Sequence, residues 1–72
     1  MRMEIIREEK FAIPGGEIPI SLIREKDEEG EFFSIEIDGV LWLQTESRMH
    51  AVVLFEIMKD HLTEYMHYEK IK

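Results

Sequence analysis

The stretch Phe33-Ser34-Ile35-Glu36-Ile37-Asp38-Gly39-Val40-Leu41-Trp42-Leu43-Gln44-Thr45-Glu46-Ser47 decides the fold. Phe33, Ile35 and Ile37 alternate with Ser34, Glu36 and Asp38, the period-two pattern of a strand with one buried face. Asp38-Gly39 then stands between two apolar runs. A two-residue hairpin loop needs positive φ at its central positions, which Asp and Gly tolerate. In that register Ile37 faces Val40 and Ile35 faces Trp42, while Leu41 and Leu43 point to the other side. The last strand is therefore apolar on both faces. Phe33 and Trp42 are expected in the core beneath a helix. Phe32, Leu41, Leu43 and Ile23 are expected on the opposite face, covered by a partner or by symmetry. Thr45 and Ser47 are good N-caps, and Glu46 suits the positive end of a helix macrodipole. The chain switches there from strand to helix.

Downstream, no Gly or Pro follows Gly39. The helix is predicted over residues 47–68, about 22 residues and roughly 33 Å long. On a wheel Val53, Leu54, Phe55, Ile57, Met58 and Leu62, with Ala51, Tyr65 and Met66, fill more than half the circumference. A helix lying on one sheet needs a stripe of only about 100° or slightly more. A four-stranded sheet is roughly 15–20 Å wide, so the helix overhangs it. A helix too long and too apolar for its own sheet calls for a second copy of the chain. Phe55, Met58, Leu62, Met66, Leu41 and Leu43 are the expected homodimer interface.

Upstream, Met1, Met3 and Ile5 alternate with Arg2 and Glu4, and Phe11 and Ile13 resume the pattern after the polar run Arg7 to Lys10. Either one strand bends around a bulge or two short strands flank a polar corner. Pro14-Gly15-Gly16 marks a turn. Ile18, Ile20 and Leu22 form the next strand, which either starts at a sheet edge or pairs on one side only near Pro19. Lys26 to Gly30 is a polar hairpin loop. The expected architecture is α+β: an antiparallel sheet of three to four strands over about residues 1–44, then one long C-terminal helix across it, in a single domain of residues 1–72.

The composition narrows the function. The chain has 72 residues, 44% of them hydrophobic, and carries 9 Lys+Arg against 16 Asp+Glu for a net charge of −7. The apolar fraction is that of a globular chain, not a disordered one. A core this small supplies about 3–5 kcal/mol, and without cysteine neither a disulfide nor a thiolate metal site can add to it. The longest apolar run, Ala51 to Phe55, is far short of a signal-peptide core or a membrane span. A soluble, cytoplasmic protein is expected. Glu is the commonest residue, Asn is absent and Gln44 stands alone, which resembles the thermophile bias. The nine basic residues are scattered among acids, which argues against general nucleic-acid binding.

No cofactor is implied and no catalytic constellation stands out. Ser21, Ser34 and Ser47 lie in no nucleophile-elbow context, and Gly15-Gly16 begins no phosphate loop. A chain this small is expected to have little room for a cleft of about 300 Å³. His50 and His61 fall within the apolar helix face, about 16 Å apart along the axis, and His67 falls on the polar side. None of the three pairs at the four-residue spacing of a helical zinc site. His61 is expected as a partly buried ring; at a dimer interface its protonation would weaken association.

The clearest charge feature is acidic. Glu25, Asp27, Glu28, Glu29 and Glu31 surround one hairpin tip, and Glu36 and Asp38 extend the strip. Such a row either keeps a hairpin solvated and unaggregated or imitates nucleic acid in a basic groove.

The order of strands then one C-terminal helix, entered through Leu43-Gln44-Thr45-Glu46-Ser47, resembles the positive cofactor four family of single-stranded-DNA-binding coactivators over about residues 11–65. The resemblance implies a dimer whose sheets present basic and aromatic residues. Arg24 and Lys26 stand alone among acids and the long loop before the last strand is replaced by Asp38-Gly39, so no site residues carry over. The expected function is non-enzymatic: a small acidic interaction module, in its sharper form a regulator or inhibitor docking on a basic protein surface. The alternative is a single-stranded nucleic-acid-binding dimer, and behind it a small carboxylate-dependent hydrolase.

Overall fold

The computed structural model describes residues 2–71. Met1, placed by its alternation at the head of the first strand, lies outside the described residues. β1 (Arg2–Ile13) and β2 (Gly16–Lys26) form a long hairpin closed by Pro14-Gly15. Gly15 has φ +87°, the left-handed value that a turn with Pro before Gly requires. β3 (Glu31–Ile37) and β4 (Val40–Thr45) flank Asp38-Gly39. Both turn residues have positive φ, +53° and +79°, as a tight two-residue hairpin demands. After α1 (Arg48–Glu64), β5 (Glu69–Ile71) returns to the sheet. The strand order is β4-β3-β2-β1-β5, with every neighbouring pair antiparallel. This is the expected α+β arrangement with one strand more.

The polar run after Ile5 lies within one strand. The register shifts between Ile5 and Arg7, so β1 continues through a bulge to Ile13. Pro19 has a ladder partner only on its β1 side, because pairing with β3 begins at Ile20. Its carbonyl accepts instead the N–H of Asp38 at 2.8 Å.

α1 lies across one face of the sheet. Ala51, Phe55, Met58 and Leu62, spaced four, three and four residues apart, form its buried stripe. They meet Phe11, Ile20, Leu22, Phe33 and Ile35 from the sheet, with Ile6, Ile37, Leu43, Val52, Leu54 and Tyr68 at the margin. The Ser47 hydroxyl accepts the N–H of His50 at 3.2 Å and caps the first turn.

Two expectations are corrected. A second bulge, between Ile35 and Glu36, pairs Ile35 with Leu43 instead of Trp42. Trp42 becomes the extra residue and is 57% exposed, while Leu43 packs against the core. A one-residue insertion exchanges the faces of everything beyond it. Next, the helix ends at Glu64, four residues before the expected Tyr68. His67 adopts φ +58°, and the N–H of Tyr68 bonds to the Leu62 carbonyl at 3.0 Å. This reversal sets Tyr68 against the core and feeds β5 to Lys10, Phe11 and Ala12 of β1. The sheet face away from α1 carries Ile5 and Leu41, both exposed, and Ile23 and Ser34, both buried.

Candidate interaction surfaces

The predicted acidic residues separate by strand position. Asp27, Glu28 and Glu29 are exposed on the β2–β3 turn. Oδ1 of Asp27 accepts the N–H groups of Glu29 and Gly30, at 2.8 and 3.1 Å, so its side chain braces the turn. Glu31 is drawn to Arg24, whose Nε donates at 2.8 Å. Glu25 pairs across the ladder with Phe32, and Glu36 with Ser21. Those positions put both acids on the sheet face away from α1. Asp38 occupies the opposite end of β3. The hairpin tip is thus one cluster, while Glu36 and Asp38 do not join it. Glu46 does, since Asp27, Glu29, Glu31, Phe32 and Glu46 share one open hollow of about 190 Å³. Its place on the β4–α1 connection, next to the strand paired with β3, is legible only once the hairpin register is known.

A second charged group went unread in the sequence. Arg7 and Glu9 face α1, where Arg7 bonds to Glu56 and stacks its guanidinium 4.8 Å from the Phe55 ring centre. Lys59 binds Glu56 at 2.7 Å, and Lys70 of β5 binds Glu9 at 2.7 Å. The hydrogen bond from Lys59, then that from Arg7, holds the Glu56 carboxyl below the usual carboxylate range. The bond to Glu56 in turn raises Lys59. These shifts have structural partners on both sides, and the group clamps β1, α1 and β5 together.

The basic residues are less isolated than expected. Arg2 joins Arg24 and Lys26 around a hollow of about 50 Å³. Glu4 shares that hollow and Glu31 engages Arg24, so carboxylates offset the charge. Three hollows elsewhere exceed the size expected for so short a chain, one of them about 510 Å³ over β1 and β5, but they open broadly to solvent. Among the described residues no three His, Cys, Asp or Glu side chains gather as metal ligands. His61 is exposed and stacks on Tyr65, with ring centres 5.3 Å apart. His50 is exposed on the first turn of α1 and His67 sits in the reversal after it.

Of the residues expected at a dimer interface, Phe55, Met58 and Leu62 face the chain's own sheet and are buried there. Leu43 is half-buried against the same core. Only Leu41, 54% exposed, and Met66, 47% exposed, remain open. The open apolar surface lies one step around the helix. Two hollows run along the seam between α1 and β4: one of about 390 Å³ lined by Thr45, Met49, His50, Val53 and Leu54, the next of about 460 Å³. Trp42, Ile57, Met58, His61, Leu62 and Met66 line the second.

Comparison with protein-family models, with curated proteins and with solved structures found no match. No helix among the described residues is long and apolar enough to cross a membrane.

Proposed function

We propose that this chain is a non-enzymatic interaction module that presents its acidic hairpin end to a basic protein surface. The observation that carries the reading is the exposure of Asp27, Glu28 and Glu29 on one turn, none of them in an ion pair among the described residues. Four other carboxylates are matched: Glu9 and Glu56 by Arg7, Lys59 and Lys70, Glu17 by Lys10, and Glu31 by Arg24. Unmatched charge at a projecting turn extends a field that steers an oppositely charged partner and raises its association rate. The Asp27 brace keeps the turn in one shape, which limits the ordering cost on binding.

The test uses the double variant Glu28→Lys with Glu29→Lys. Proteins retained from host lysate by the immobilised wild-type chain are identified, and their association rates are measured at two salt concentrations. The variant is expected to associate about tenfold more slowly, with a flattened salt dependence. An unchanged association rate removes the reading. A single-stranded oligonucleotide run in parallel is expected not to bind; affinity falling steeply with salt would favour the nucleic-acid alternative instead.

A further inference from the structure

We propose that the seam between α1 and β4 is the interface of a two-fold symmetric dimer of this chain. The inference stands apart from whatever the acidic hairpin binds.

Six large apolar side chains converge on this side of the molecule. Val40, Trp42, Met49, Val53, Ile57 and Met66 are between 47% and 75% exposed. At about 100 Å² each they offer on the order of 600–700 Å², above the roughly 300–600 Å² of the largest patch on an ordinary monomer. Half-buried Leu54 and exposed Tyr65 adjoin them. Together they approach the roughly 800 Å² that each partner contributes to a stable interface.

The surface is shaped for insertion. The bulge in β4 sends Trp42 outward beside the hollow it shares with Ile57, His61 and Met66. A bulge by itself is a common guard for an edge strand, and guards are usually charged or small. Here the extruded side chain is the only tryptophan of the chain. An aromatic knob beside an apolar hollow is self-complementary about a two-fold axis, each Trp42 seating in its partner's hollow.

Charge distinguishes a second copy from a basic partner. β4 carries no charged residue from Val40 to Thr45, unlike β5 at the other edge, whose three residues include Glu69 and Lys70. A basic protein finds no counter-charge along β4. A net charge of −7 opposes self-association through most of the surface, but not through this strip. The acids that flank it are Asp60 and Glu64, on the exposed side of α1 near its C-terminal end. The positive end of the helix dipole lies at the other end, where Arg48 offsets the nearby Glu46. A two-fold axis perpendicular to α1 runs the two helices antiparallel, which sets Asp60 and Glu64 of each copy near the positive helix end of the other.

The experiment is absolute mass by light scattering over a range of concentrations, for the wild-type chain and two variants. Ile57→Lys changes the seam; Ile5→Lys changes the open sheet face at a residue of similar exposure, 59% against 57%. The wild-type chain is expected at twice its 8.6 kDa, dissociating on dilution. Ile57→Lys is expected to weaken the dimer about 100-fold or more, and Ile5→Lys by no more than about twofold. Trp42→Gln serves as the second seam variant if Ile57→Lys loses its helical circular dichroism. A wild-type monomer at all concentrations overturns the proposal and leaves the seam to a different molecule. A dimer broken by Ile5→Lys, and untouched by either seam variant, overturns it in favour of the sheet face.

Discussion

Glu56 stands on the side of α1 that faces β1, between Arg7 and Lys59. Its carboxyl is held low, so its contribution to stability is complete above the ordinary value of 4.5 and is lost as pH falls through the lower folded value. The side chain is 40% exposed, and solvent screening keeps that contribution under about 1 kcal/mol. Glu56→Gln is therefore expected to lower the melting temperature at pH 7 by no more than about 4–8 °C. The difference should shrink toward zero in strong acid, where the wild-type carboxyl is also neutral. Thermal unfolding at neutral and acid pH checks it, and an equal deficit at both contradicts the electrostatic account. Arg7 and Glu9 were illegible as partners because Glu56 lies 49 residues from Arg7. In the sequence they read only as a polar interruption between Ile5 and Phe11. Trp42 was misread for a different reason: alternation locates a strand but not an inserted residue, and one bulge moves every later side chain across the sheet.

At the level of elements, the tight turns were the legible parts. Pro14-Gly15 and Asp38-Gly39 carry their backbone requirement in residue type, so their hairpins follow from local chemistry alone. The end of α1 was not legible, since neither Gly nor Pro marks it. His67 takes the left-handed conformation, which costs an L-residue roughly 1–2 kcal/mol, and is held there by Tyr68 packing on the core and by β5 pairing with β1. Those are tertiary gains invisible to a helical wheel. His67→Gly relieves that strain and is expected to stabilise the chain by about 0.5–1 kcal/mol. Denaturant unfolding checks it: a midpoint that falls would mean the His67 side chain itself holds the reversal. The helix face was wide for two reasons, not one. Ala51, Phe55, Met58 and Leu62 serve the chain's own sheet, and Met49, Val53 and Ile57 spill onto the seam.

On the scale of the whole molecule, one helix covers one face of a five-stranded sheet, and the charged and apolar surfaces fall in different places. The hairpin tip concentrates unmatched carboxylates. The α1–β4 seam concentrates exposed apolar side chains around an uncharged edge strand. The excess apolar helix surface was legible in the sequence. Its location was not, because that depends on which residues the sheet takes first. Under the proposed dimer, self-association through the seam would leave both acidic hairpins open to the proposed basic partner.

The most direct test of the seam is the solvent accessibility of Trp42, the sole tryptophan, followed by acrylamide quenching of its fluorescence as the wild-type chain is diluted. The predicted result is weak quenching at high concentration that rises on dilution, with the same midpoint as the halving of mass. Quenching that stays strong and constant while the mass changes would place the contact elsewhere and contradict the account.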